Sequence, residues 1–171
     1  KDVINSLNKG RSHIFEPALV DMLKANLKRQ SIEFSANLES EAHQVYIVAV
    51  GTPLGSDSKP NLVPLIEALK SISLVLKKGN QVMLRSTVPV GVTREIVIPY
   101  LEERTGLFAG KDFYVSFVPE RTIEGAAMYE LKTLPQVVGG YSSKCTKFSL
   151  EFWSTLTPTV VRVDSLEAAE M

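Results

Sequence analysis

Apolar and polar positions along the chain follow two alternating periods. Short apolar runs at Val45–Val50 (VYIVAV), Gln81–Arg85, Phe113–Val118, Gln136–Val138 and Thr159–Val163 have the length of strands, and Ile32–Ser35 is a shorter candidate. Val45–Val50 is apolar at every position, which predicts a strand covered on both faces. The intervening segments carry helical spacing and helix punctuation. Residues 1–9 read as the end of a helix stopped by Gly10. Glu16-Pro17 opens a second helix with Leu19, Leu23 and Leu27 on one face. Asn61 caps a third helix reaching about Lys78, with Gly79 after it. Gly91-Val92-Thr93 leads a fourth to about Arg104, stopped by Gly106. One helical turn is predicted within Ala126–Leu131. Ser142 or Ser143 caps a helix reaching Leu156, and Ser165 caps a last one starting at Leu166.

Strand and helix in alternation predict an α/β fold: a Rossmann-like, mostly parallel sheet with helices on both faces. The first βαβ unit of such a fold has no counterpart before Lys1, and the last helix has only begun at Met171, so both ends read as cut. Residues 1–164 are expected to form an incomplete Rossmann-like domain, with 165–171 starting the helix that leads onward. In strand order 3-2-1-4-5-6 the two lacking strands are central, so Ile32–Ser35 is expected to lose its neighbours.

Composition narrows the function classes. Basic and acidic residues balance at 19 each, which gives no electrostatic case for nucleic acid or an anionic membrane. No apolar run approaches the ~18 residues of a membrane span, and the first residues lack the apolar core of a signal peptide. One cysteine, Cys145, excludes an intrachain disulfide and, with the rest, points to the cytoplasm. Two histidines and one cysteine far apart make no metal cluster. His13 and His43 are assigned no chemistry.

Three strand ends carry the candidate chemistry, because open α/β sheets take ligands beyond the carboxyl ends of their strands. Val50-Gly51-Thr52-Pro53 combines a residue permitting close backbone approach, a hydroxyl and a fixed turn; a plain strand exit has the same form. Ser86-Thr87-Val88-Pro89-Val90-Gly91-Val92-Thr93 offers two hydroxyls and a helix N-terminus, read either as donors to a ligand or as a capped helix start. Pro119-Glu120-Arg121-Thr122-Ile123-Glu124-Gly125 places two carboxylates around an arginine, suited to general base work in a crevice or to a surface ion pair. Cys145 lies mid-helix and reads as an ordinary helix cysteine. Gly139-Gly140 is an isolated pair. No Gly-x-Gly-x-x-Gly fingerprint is present, so local pattern alone declares no cofactor.

These three motifs, with Pro135-Gln136-Val137-Val138-Gly139-Gly140 and Glu167-Ala168-Ala169-Glu170-Met171, together resemble the UDP-glucose/GDP-mannose dehydrogenase family in order and spacing over essentially the whole chain. The resemblance implies an NAD-dependent enzyme that oxidises the C6 hydroxyl of a UDP-sugar to the uronic acid in two hydride transfers via a cysteine thioester. It implies NAD contacts at Gly51, Thr52, Pro53, Ser86 and Thr87, with Thr87 also helping to place the catalytic water. Glu124 matches the acid that activates that water and lies beside the cofactor, and Glu120, its neighbour in the same motif, is expected to be catalytic with it. Arg121 and Thr122 match positions that meet the sugar nucleotide. Arg121-Thr122 stand where members acting on UDP-glucose or GDP-mannose usually have Phe, which resembles the UDP-N-acetylhexosamine branch.

Departures also shape the expectation. The Gly-rich turn and the family's catalytic lysine, asparagine and cysteine have no match, and Cys145 does not match the nucleophile. The chain alone is therefore expected to be inactive, and the complete protein to be a homo-oligomer. Two other readings of the residues stand beside this one: a non-catalytic nucleotide-binding module, and a related single-step β-hydroxyacid dehydrogenase.

Overall fold

The computed structural model describes residues 2–38, 44–55 and 58–171. His43 and part of the polar loop of residues 51–60 lie outside the described residues. The chain divides into two units, one of residues 39–120 and 135–171, the other of residues 1–38 and 121–134.

The larger unit is built on a five-stranded sheet in the order β1 (Val45–Val48), β2 (Gln81–Leu84), β3 (Tyr114–Phe117), β4 (Gln136–Gly140) and β5 (Val160–Arg162). β1, β2 and β3 run parallel in register, Val48 beside Leu84 and Leu84 beside Phe117. β4 runs antiparallel to β3, with Ser116 opposite Gly140, and β5 runs parallel to β4. Strand direction is the part the apolar pattern does not encode, and the sheet is accordingly mixed, with three of its four pairings parallel.

Alternation in the strands divides the core. Val82, Leu84, Val115 and Phe117 face α3 (Val63–Ser73), α4 (Ile98–Thr105) and α7 (Leu166–Glu170) in one apolar cluster. Met83, Val118 and Val138 meet Trp153 of α6 (Ser143–Trp153) on the other face. The α6 face also carries buried polar groups: Gln81 Nε2 donates to Ser149 Oγ, which is also hydrogen-bonded to Ser116 Oγ. Coverage is unequal at β1. Tyr46 and Val48 are buried but Ile47 is 43% exposed, so the strand predicted to be covered on both faces is covered on one.

Caps explain the helix boundaries. Ser142 Oγ accepts the Cys145 amide and Ser165 Oγ accepts the Ala168 amide, while Asn61 Oδ1 accepts the Val63 amide. α3 stops at Ser73 rather than near Lys78, where the Val75 amide tightens to the Ile72 carbonyl three residues back. The fourth helix opens as a π-helical turn, Thr93–Val97, before α4. Pro99 supplies the reason: it has no N–H for the Glu95 carbonyl and its ring crowds that oxygen. The Ile98 amide instead reaches five residues back to the Thr93 carbonyl. Gly139 and Gly140 are explained by packing. A Cβ on Gly139 would run into the Ser165 carbonyl oxygen and Ala169, and one on Gly140 into the Thr146 backbone, so the pair lets α7 and α6 lie directly on β4.

The smaller unit contains α1 (Asp2–Asn8), α2 (Leu19–Lys28) and α5 (Ala127–Thr133). Asn8 Nδ2 donates to the Phe34 carbonyl. Ile32–Ser35 forms no strand, which corrects the sequence expectation; it pairs with no strand among the described residues, and a segment without a strand partner has no ladder to hold it extended.

Candidate functional site at the carboxyl edge of the parallel strands

β1, β2 and β3 end on the same edge of the sheet, and their exit loops therefore start side by side. Thr52 Oγ1 donates to the Thr87 carbonyl oxygen at 2.5 Å, joining the loop after β1 to the loop after β2. The Pro53 carbonyl accepts the Asn61 amide, which closes the first loop onto the start of α3. Gly51 faces open space: a Cβ there would meet nothing within 4 Å. Thr87 is exposed, between the buried Ser86 and Val88. Ser86 is placed differently from its neighbour, with its hydroxyl directed at the Val48 carbonyl at 3.5 Å beneath the edge. Two residues adjacent in sequence thus part, Thr87 exposed and Ser86 buried with its hydroxyl towards the sheet.

Arg85 links the ends of β2 and β3. Its side chain is 5% exposed, yet Nε and Nη2 both donate to Glu120 Oε2, the former at 3.2 Å. Nη1 donates to Gln136 Oε1 of β4 at 3.1 Å, and the guanidinium carbon lies 4.4 Å from the centre of the Trp153 ring. Glu120 itself is 42% exposed. The sequence marks Arg85 only as a charged residue ending an apolar strand, and that was the available signal; Gln136 gave none.

The helix entry after Val90 is occupied by the protein's own carboxylate. Glu170 of α7 accepts the Gly91 amide at 2.6 Å and the Thr93 amide at 2.9 Å, one on each oxygen. Two amides of the helix N-terminus that the sequence offered to a ligand are therefore satisfied internally. One turn back on α7, Glu167 pairs with Arg94. The hydrogen bond from Arg94 holds the Glu167 carboxyl down at about 2, and the same bond raises Arg94. Thr93 Oγ1, fully buried beside this clamp, has no hydrogen-bond partner among the described residues.

Arg121, Thr122 and Glu124 belong to the smaller unit. Arg121 and Glu124 are exposed, and Glu124 lies in the turn that enters α5. That turn is held by two other acids. Glu16 accepts the Gly125 amide at 2.8 Å and the Met128 amide at 3.1 Å, and Glu130 accepts the Ile123 amide. Glu16, expected only to open a helix, is instead the cap of α5, 109 residues away. α2 begins at Leu19, later than Pro17 suggested.

Cys145 is fully buried, with the Ser142 hydroxyl donating to its sulfur, as suits a packing residue. His13 is exposed. Among the described residues no group of three or more His, Cys, Asp or Glu could hold a metal, and no helix is long and apolar enough to cross a membrane.

At this edge an exposed residue, Thr87, and open space over Gly51 stand at adjacent parallel strand ends, where a doubly wound sheet takes its ligand. A pyrophosphate cradle is not part of it, since the sequence has no Gly-x-Gly-x-x-Gly and Glu170 fills the entry at Gly91.

Known proteins resemble the chain along almost its whole length. The UDP-N-acetyl-D-mannosamine dehydrogenase of Pyrococcus horikoshii is 32% identical over 171 residues, covering 99% of this chain and 40% of that protein. The UDP-N-acetyl-D-glucosamine 6-dehydrogenase of Pseudomonas aeruginosa is 31% identical over 170 residues, covering 96% of this chain and 40% of that protein. Among solved structures, the UDP-N-acetyl-mannosamine dehydrogenase Cap5O of Staphylococcus aureus superposes with a TM-score of 0.93 at 28% identity, covering 99% of this chain and 41% of that one. The chain thus spans about 40% of the length of the curated relatives it matches. The pattern of the UDP-glucose/GDP-mannose dehydrogenase family, NAD binding domain, matches residues 1–157, and with the mixed Rossmann-like sheet it establishes that the chain belongs to that family as its NAD-binding domain.

Proposed function

We propose that the complete protein oxidises the C6 hydroxyl of a UDP-sugar, a UDP-N-acetylhexosamine, to the uronic acid in two hydride transfers through a cysteine thioester. The observation that carries this reading is the bond from Thr52 to the Thr87 carbonyl at the carboxyl edge. It fixes two strand exits against each other and leaves the Thr87 side chain exposed. NAD, when bound, supplies the hydride acceptor. Thr52 and Thr87 line the edge, Gly51 leaves room over it, and Pro53 and Pro89 stiffen the loops on either side. The Ser86 hydroxyl braces the loop from below. Glu120, held by Arg85, presents a carboxylate at the end of the third strand.

Glu124 is assigned the general base that activates water for thioester release, and Arg121 and Thr122 the sugar nucleotide contacts. Exposure of Glu124 in a turn whose amides are already capped by Glu16 and Glu130 supports that role, because its carboxylate is not the one used for capping. Arg121-Thr122 after Pro119-Glu120, and relatives named for UDP-N-acetyl sugars, support the substrate class. A cytoplasmic homo-oligomer completes the proposal.

The test is NADH formation by the complete protein over a panel of UDP-sugars. Two NADH per sugar and an acid product are expected. One NADH per substrate supports the β-hydroxyacid dehydrogenase alternative, and nucleotide binding without NADH supports a non-catalytic module.

A further inference from the structure

Buried arginines call for an explanation, because desolvating a guanidinium is costly and an apolar side chain of similar size is often as stable. Arg85 is buried to 5% exposure, and everything around it fixes its plane. Trp153 lies against the guanidinium, and Gln136 of β4, two strands across the sheet, accepts from Nη1. The remaining edge, Nε with Nη2, is directed at a single oxygen of Glu120, which is 42% exposed. A rigid, buried cation that reaches out to a half-exposed acid does little for the core. It does define where that acid sits. Glutamate has three side-chain torsions, and a fixed guanidinium edge selects among their rotamers where water would not.

We infer that Arg85 is a positioning residue for Glu120: it holds the carboxylate at the carboxyl edge of β3 in one orientation, with Gln136 and Trp153 as the anchors that keep the guanidinium in place. This deepens, and rests on, the dehydrogenase reading above.

In the complete protein, Arg85→Met is expected to lower kcat about tenfold, since misplacing a reacting group by about 1 Å can cost far more. KM for NAD and for the sugar are expected to stay within about twofold, because the change is to orientation rather than binding. Arg85→Lys, which keeps the charge and loses the planar edge, is expected to fall between wild type and Arg85→Met. Adding Arg85→Met to Glu120→Gln is expected to slow the enzyme no further than Glu120→Gln alone, as for two residues acting through one group. Carbodiimide labelling of carboxyls, read by mass spectrometry, is expected to increase at Glu120 in Arg85→Met, with no assay of activity involved.

Wild-type kcat in Arg85→Met, multiplying losses in the double variant, or unchanged Glu120 labelling would overturn the inference. If Arg85→Met does not fold, Gln136→Leu removes only the Nη1 anchor; a smaller kcat loss of the same kind is expected, and none would overturn it. Wild-type protein that forms no NADH overturns the dehydrogenase reading and this inference with it, whereas wild-type activity that ignores Arg85 overturns this inference alone.

Discussion

Two helix entries in this chain use the same device in different surroundings. At Gly91–Thr93 and at Gly125–Met128 a glycine with positive φ, +96° and +88°, turns the chain, and one distant glutamate accepts two backbone amides. Glu170 closes the first from 79 residues away, Glu16 the second from 109. The first turn is packed: Val92 and Thr93 are buried, and Glu167 and Arg94 add an ion pair beside it. Gly125 in the second is exposed. In the packed turn, amides that lose their acceptor have no water to turn to; in the exposed one they do. The comparison also separates function from framework. The packed turn, which by sequence could have held a ligand, is closed by the protein itself, whereas Thr87 and Glu120 at the strand ends stay exposed.

Three substitutions probe that contrast by urea unfolding. Glu170→Ala is expected to cost about 2–3 kcal/mol, because two amides at a buried helix entry lose a charged acceptor. Glu16→Ala is expected to cost about 1 kcal/mol, the ordinary size of a lost cap on a hydrated turn. Equal losses at the two sites would remove burial as the cause of the difference. The smallest effect is expected from Arg94→Gln, about 0.5 kcal/mol near neutral pH, since both members of its pair are substantially exposed. Its pH dependence has a definite sign. In the folded chain the Glu167 carboxyl titrates at about 2, below its ordinary 4.5, so the ionised form favours folding. That contribution is complete above pH 4.5 and fades as pH falls towards 2, so the Arg94→Gln and wild-type stabilities converge across that window. A gap that widens on acidification would contradict the pairing.

Much of the fold was legible because its signals are local. The caps at Asn61, Ser142 and Ser165 and the apolar runs of β1 to β5 each sit within a few residues of what they define. The antiparallel entry of β4 was not legible, since an apolar strand looks alike in either direction. The exposed side of Ile47, on the edge strand, and the unpaired Ile32–Ser35 both depend on what lies beside them in space. The candidate site divides in the same way. Thr52, Thr87 and Glu120 follow from strand ends, whereas Ser86 turns inward because of where the Val48 carbonyl lies. Arg85 with Gln136, and Glu170 with Gly91, join residues 51 and 79 positions apart, beyond the reach of any spacing rule. Pro99 is the exception in the other direction: its effect on the π-helical turn was written locally.

The account's central claim is that NAD meets this chain at the exposed Thr87 of the strand edge and not at the buried Ser86. The most direct measurement is the NAD dissociation constant of the complete protein for Thr87→Val and Ser86→Ala, set against their unfolding midpoints. The account predicts that Thr87→Val weakens NAD binding about tenfold, the size of losing a hydrogen bond at a ligand, at unchanged stability. Ser86→Ala is predicted to lower stability and leave NAD affinity within about twofold. The reverse pattern, with Ser86→Ala losing NAD and Thr87→Val only stability, would contradict it.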